Sequence, residues 1–236
     1  MSRPQLYFNE TALSTFGIYI SGEGTYNAPE RSVTAQSIPG RNGDLIIDNG
    51  RFENIEVTYP AFILDDFAAN IKAARNYLAS LQGYVKIRDS YHPGEYRMGV
   101  YSNGLEVDTS GHGNRHGKFN LTFNCKPQRF LTAGDTPVTI SSEASITNPT
   151  LFPSRPLIRV TGTGTLSLGG VEITITGTQA YTDIDCDLMD CFNGSTNLNK
   201  FVSIDGDEFP ELAPGENVLV YDGPTAVQIT PRWWTV

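Results

Sequence analysis

Thr165-Leu166-Ser167-Leu168-Gly169-Gly170-Val171-Glu172-Ile173-Thr174-Ile175 reads as a β-hairpin. Two short strand-forming runs flank Gly169-Gly170, a two-residue loop able to supply the positive φ angles of a primed turn. Further short runs follow at residues 182–187, 217–221 and 226–230, with no helical pattern between them. Strands of this length and spacing predict a sandwich or jelly roll of roughly 90–100 residues. Upstream, Thr132-Ala133-Gly134-Asp135-Thr136-Pro137 reads as a polar linker into this all-β part.

The preceding part is also rich in strands. Phe119, Leu121 and Phe123 alternate with Asn120, Thr122 and Asn124, and Ile55, Val57 and Tyr59 alternate with Asn54, Glu56 and Thr58. Each such strand needs a sheet or helix over its apolar face. Residues 65–82 have helical periodicity instead: Phe67, Ile71, Ala74, Leu78 and Leu81 form one stripe. Asp65 or Asp66 can cap its start and Gly83 its end, and the stripe predicts packing on a sheet face. No internal repeat or low-complexity tract interrupts the pattern.

The chain has 236 residues, enough for one large domain or two small ones, with 39% apolar and 18% charged residues, 23 Gly and 14 Pro. That balance excludes a coiled coil, a collagenous or disordered chain and a linker. The net charge of −9 argues against nucleic-acid binding through phosphate neutralisation. The charge is unevenly spread: residues 1–131 hold 13 basic and 13 acidic side chains, residues 132–236 only 4 basic against 13 acidic. Two units with different surfaces follow, 1–131 and 132–236. The N-terminus has no apolar run of signal-peptide length, and no run of about 18 apolar residues occurs; the expectation is a soluble product made in the cytoplasm.

Candidate chemistry is sparse. Cys125, Cys186 and Cys191 are too few and too loosely spaced for a disulfide framework or a zinc site and read as buried thiols. His112 and His116 share a spacing that binds zinc on a helix, but Gly111, Gly113 and Gly117 oppose helix formation, so the segment reads as a hairpin tip. His92, beside Pro93 and Gly94, reads as a turn residue. Asp183, Asp185 and Asp187 match the opening of a calcium loop, yet Leu188 and Gly194 stand where that loop needs Gly and Glu. The reading here is a strand with Ile184 and Cys186 inward and the three aspartates toward solvent. Gly162, Gly164, Gly169 and Gly170 are turn glycines, since the dinucleotide spacing fails and no helix follows. Neither GxSxG nor HExxH occurs, which weakens hydrolase readings. No cofactor and no metal is expected. Tyr181, Phe192, Phe201, Tyr221, Trp233 and Trp234 are aromatics available either to the core or to sugar stacking. Adjacent residues of a strand face opposite ways, so only one of Trp233 and Trp234 enters a given core face; the other covers a second surface.

Several stretches in order resemble the distal tail protein (Dit) family of tailed bacteriophages, also found in prophages and phage-tail-like particles. They are Ser37-Ile38-Pro39-Gly40-Arg41-Asn42-Gly43-Asp44-Leu45 with Phe52-Glu53-Asn54-Ile55; Phe123-Asn124-Cys125-Lys126-Pro127-Gln128-Arg129-Phe130; Asn148-Pro149-Thr150 with Arg155-Pro156-Leu157-Ile158-Arg159-Val160; and Phe209-Pro210-Glu211-Leu212 with Pro214-Gly215-Glu216-Asn217. None is diagnostic alone; their ordered co-occurrence carries the resemblance. It implies a mainly β chain with one helix: an N-terminal β-sandwich-like ring domain with a belt hairpin and an α-helix, and a C-terminal galectin-like β-sandwich. It further implies a homohexameric ring at the tail tip, in the virion, touching the tail tube protein, a tail-tip protein and a receptor-binding protein, with no enzymatic activity, no sequence-specific nucleic-acid contact and no membrane. Gly40, Arg41, Asn42, Gly43 and Asp44 are placed at a hairpin tip or subunit contact, and Trp233 and Trp234 are the other candidate contacts. A lectin-like adaptor is the alternative reading.

Overall fold

The computed structural model describes residues 3–22, 24, 26–64, 66–108, 116–140, 143–206 and 208–236. The fold is mainly β with one α-helix, in antiparallel sheets. Two compact units make up the chain, Met1–Arg129 with Val236, and Phe130–Thr235.

In the first unit the strands are β1 (Leu6–Phe8), β2 (Thr11–Ala12), β3 (Ile18–Ile20), β4 (Arg31–Gln36), β5 (Leu45–Phe52), β6 (Ile55–Ile63), β7 (Val85–Asp89), β8 (Glu95–Val100) and β9 (Gly117–Leu131), whose last two residues belong to the second unit. One sheet runs β2-β1-β7-β8-β9-β6-β3. The amide of Ile20 in β3 donates to the carbonyl of Pro4, just before β1, at 3.3 Å, so the sheet curls back toward its own edge around an apolar interior. Alternation decides what enters that interior: Val57, Tyr59, Ala61 and Ile63 from β6 and Phe119, Leu121, Phe123 and Cys125 from β9 are buried, while Thr58 and Thr122 bond to each other at 2.8 Å on the other face.

Helix α1 (Phe67–Ser80) packs its stripe into the same core: Ala74 and Leu78 are fully buried, and Phe67, Ile71 and Leu81 lie against them. Its ends differ from expectation. Asp66 occupies the N-cap position with φ 39°, outside the extended region from which a cap side chain reaches the first amides, and its side chain makes no capping bond. Asp65 lies outside the described residues. At the other end Leu81 closes the helix in an extended conformation, packing on the core, so Gly83 (φ 71°) serves the turn into β7 rather than the cap.

The second unit comprises β10 (Val138–Ile140), β11 (Glu143–Asn148), β12 (Leu157–Thr161), β13 (Gly164–Leu168), β14 (Val171–Ile175), β15 (Thr182–Asp185), β16 (Asp190–Asn193), β17 (Thr196–Asn197), β18 (Val202–Ile204), β19 (Gly215–Asp222), β20 (Ala226–Thr230) and β21 (Trp234–Thr235). Sheets ordered β10-β20-β12-β15-β16-β17 and β11-β19-β13-β14-β18 share one core, Ile158, Ile184 and Ile229 from the first meeting Leu166, Ile173 and Leu219 from the second. This is a sandwich. Leu168 pairs with Val171 across Gly169 (φ 61°) and Gly170 (φ 84°), the primed turn read from the sequence.

Two readings are corrected here. Residues Thr132–Asp135 are a 3-10 turn rather than a linker: Gly134 is buried, its carbonyl accepts the amide of Arg232 at 2.8 Å, and a Cβ there would stand 2.3 Å from the amide nitrogen of Trp233. Asp183 and Asp185 point away from the sandwich core, as alternation requires, yet both are 4% exposed. Arginine side chains fold over that face. Arg159 holds Asp183 through Nε and Nη2 at 2.7 and 2.8 Å, and Arg232 holds Asp185 in the same two-pronged way. Among the described residues no helix is long and apolar enough to cross a membrane.

Candidate functional site

Strands β4 and β5 pair only with each other, forming a two-stranded arm from the first unit. Its register is Val33 with Asp48, Thr34 with Ile47, Ala35 with Ile46 and Gln36 with Leu45. Cross-strand partners share a face, so Val33, Ala35 and Ile46 line one side and Leu45 and Ile47 the other. Neither side is covered: Val33, Leu45, Ile46 and Ile47 are 47%, 45%, 59% and 45% exposed. Three consecutive apolar residues in a strand ordinarily mark burial on both faces. An isolated two-stranded ribbon is also marginal by itself in water.

The arm is nevertheless built in a defined way. Register shifts between Arg31 and Val33, and Gly50 (φ 71°) takes the bulged conformation while its amide donates to Asp48 Oδ1 at 2.9 Å. Arg31 Nη1 meets Asp48 Oδ2 at 2.6 Å and lies over the Phe52 ring. The Gly50 amide and Arg31 hold the Asp48 carboxyl below its usual range. At the base, Glu53 N donates to Glu30 O at 2.8 Å, and Asn54 Nδ2 bonds Tyr84 Oη and Asn124 Oδ1. At the far end Gly40 (φ 78°) and Gly43 (φ 82°) turn the chain, with Arg41 N donating to Ile38 O at 3.2 Å. Gly40, Arg41, Asn42, Gly43 and Asp44 thus form the arm's tip, all exposed.

Trp233 and Trp234 lie in the second unit. Trp233 is 6% exposed in the core, whereas Trp234 stacks on Phe152 with centroids 4.5 Å apart and donates Nε1 to the Pro153 carbonyl at 2.8 Å. Tyr221 Oη donates to Ile140 O at 3.1 Å. These aromatics are engaged inside the unit.

Among the described residues, titratable groups do not assemble into a catalytic set. Tyr59 Oη donates to Asp89 Oδ2 at 2.8 Å, and Asp89 Oδ1 meets His92 Nδ1 at 3.0 Å and the amides of Tyr91 and His92 at 2.9 Å. Burial and the Asp89 charge push the Tyr59 phenol well above its usual range. With Asp89 and His92 side chains 10% and 11% exposed and Tyr26 packed on the His92 ring, this is a staple between turn and sheet. His92 does occupy a turn, while His112 lies outside the described residues. Asp183 and Asp185 spend their carboxylates on arginines, and among the described residues no three His, Cys, Asp or Glu side chains converge as a metal ion requires. A groove of about 940 Å³ lies on the outer face of β6 and β9, lined by Pro60, Phe62, Asn120 and Thr122 together with Asn103, Glu106 and Asp108. The arm's exposed branched residues were not singled out from the sequence; the Leu45-Ile46-Ile47 run beside PGRNG was the signal available.

No family model matches the chain, and no curated protein matches it significantly. Solved structures do. The chain is similar to the Dit (gp 19.1) protein of phage SPP1, described as a paradigm of the hub adsorption apparatus in phages infecting Gram-positive bacteria, at 16% identity with a TM-score of 0.74 over 100% of both chains. A chain of the phage p2 baseplate, in its activated conformation with Sr, matches at 10% identity with a TM-score of 0.55 over 97% of this chain and 98% of that one. The first of these likenesses extends over the whole length of this chain and so over both units.

Proposed function

We propose that this chain is a structural, non-enzymatic protein that closes a homohexameric ring at the distal end of a phage tail tube. Residues 1–131 form the ring-closing domain and residues 132–236 an outward domain that docks neighbouring tail proteins. The partners are further copies of the chain, the tube protein, a tail-tip protein and a receptor-binding protein, all within the virion.

One observation carries the reading: the β4–β5 arm holds four branched apolar side chains in water on both of its faces, in a fold shared end to end with a phage hub protein. Burying each half-exposed side chain in a neighbour is worth about 1 kcal/mol, repeated at every interface of a closed ring. Both long edges of the arm also carry unpaired backbone groups, ready to add a strand across subunits. The charge balance of residues 1–131 leaves no net self-repulsion against association. The lectin-like alternative has less support, because Trp233, Trp234 and Tyr221 are taken up by packing and hydrogen bonds.

Native mass spectrometry with light scattering at high concentration tests the proposal. The expected result is a ring-sized assembly that falls to monomer on Leu45→Ser, Ile46→Ser and Ile47→Ser together. A strict monomer, with no ring of this protein at tail tips in micrographs, would overturn it.

A further inference from the structure

A second exposed apolar feature lies on the other unit and is built quite differently from the arm. Strands β15 and β16 are joined by the turn Cys186-Asp187-Leu188-Met189, with Asp185 opposite Asp190. Leu188 and Met189 at its tip are 66% and 59% exposed. The loop entering β12 reaches the same end of the sheet, since Leu157 pairs with Asp185 and Cys186 N donates to Pro156 O at 3.1 Å; that loop carries Leu151, 87% exposed. Single exposed apolar residues are ordinary on protein surfaces, but three large ones at one end of a sandwich are not.

The turn is held rigid from both sides. Asp185 Oδ1 accepts the amides of Asp187 and Leu188 at 3.0 and 3.1 Å while Arg232 grips both oxygens. On the other side Asp190 Oδ1 accepts Asn197 Nδ2 and Asn199 Nδ2 at 2.9 and 2.8 Å. Met189 (φ 54°) and Arg232 (φ 58°) both sit in the left-handed region, which residues with side chains rarely occupy. Strain of this kind persists where surrounding contacts impose it. The network thus holds Leu188 and Met189 out in water in one conformation.

Charge selects the occupant. Asp187 and Glu208 are exposed beside the turn, and Glu211, together with those two, holds Arg155 above its usual value. All three arginines of residues 132–236 are committed, Arg155 to Glu211, Arg159 to Asp183 and Arg232 to Asp185, and Lys200 lies over Phe201. With Arg155, Arg159 and Arg232 each paired to a carboxylate, the exposed Asp187 and Glu208 leave the rim around the apolar tip acidic. Two copies of this end repel each other, and so does an anionic surface, whereas a basic rim around an apolar pocket is matched in both respects.

We infer that the Leu188–Met189 turn, at the end of the sandwich where the loop entering β12 also exposes Leu151, is a docking knob for a protein partner whose apolar pocket is ringed by lysine or arginine. A rigid knob loses little conformational entropy on binding, and methionine adapts its shape to the pocket it enters. The inference does not depend on ring formation.

The test uses the full chain and, as probe, a synthetic amphipathic peptide of leucine and lysine. Bound peptide is expected to slow peroxide oxidation of Met189 while leaving Met98 unchanged. Leu188→Ser with Met189→Ser, which alters exposed side chains only and keeps the charge, is expected to weaken binding about tenfold or more, and Asp187→Asn with Glu208→Gln about tenfold. Unchanged affinity in the serine variant would mean that charge alone attracts the peptide and would overturn the inference. So would Met189 protection in the free chain that is lost on dilution, which would identify a second copy as the occupant.

Discussion

Arg232 grips Asp185 with both prongs of its guanidinium, Nη1 to Oδ1 at 2.7 Å and Nη2 to Oδ2 at 2.8 Å, across 47 residues of sequence. Burial raises the carboxyl's pKa, but Arg232 and the amides of Leu188 and Asp187 outweigh it and hold the group below its usual value. A carboxyl depressed in the folded state adds stability above its unfolded pKa of about 3.9 and loses it as pH falls through the lower folded value. Asp185→Asn is expected to cost about 2–4 kcal/mol at pH 7, since it strands a largely buried guanidinium, and to flatten the loss of stability below about pH 4. Urea unfolding of both proteins between pH 2 and 7 measures this; equal pH slopes would contradict it.

Gly134 allows the closest backbone approach at the start of the second unit. Alanine there puts a Cβ 2.3 Å from the Trp233 amide nitrogen, with backbone rather than a flexible side chain in the way. Gly134→Ala is expected to destabilise the chain by about 2–3 kcal/mol and to shift Trp233 fluorescence. An unchanged melting temperature and emission maximum would refute the tight packing.

Met189 pays for its conformation in strain. Met189→Gly removes the clash of a side chain at φ 54° and raises stability by roughly 0.5–1 kcal/mol once glycine's greater unfolded-state freedom is subtracted. The expected pattern is a higher urea midpoint together with weaker binding of the basic peptide. A lower midpoint would show that the methionine side chain supports the fold.

Cys125, Cys186 and Cys191 are free and buried, and burial pushes their thiols up to about 11, 12 and 11. Thiolate is the reactive form, so native protein at pH 8 is expected to resist iodoacetamide while denatured protein takes up three equivalents. Rapid labelling of any of the three in the native state would show that its strand opens.

Much of this architecture lies open in the sequence. Period-two alternation sorts β6 and β9 into inner and outer faces, the Phe67 to Leu81 stripe predicts the helix and its buried side, and Gly169-Gly170 predicts a primed hairpin, because each depends on residues a few positions apart. Other features depend on contacts between distant segments. Alternation turns Asp183 and Asp185 away from the core correctly, but only the folded sandwich brings Arg159 and Arg232 over them. A six-residue polar stretch looks like a linker until Trp233 packs on Gly134.

The arm divides the two kinds of knowledge most sharply. Leu45-Ile46-Ile47 has the composition of a strand buried on both faces, yet the sequence reading marks only the glycine-rich turn of Gly40 to Asp44 before it. Only the tertiary structure leaves that strand with a single partner and both faces in water. Local pattern sets the periodicity and the conformation of a segment; whether anything covers it depends on which segments the topology brings within van der Waals reach.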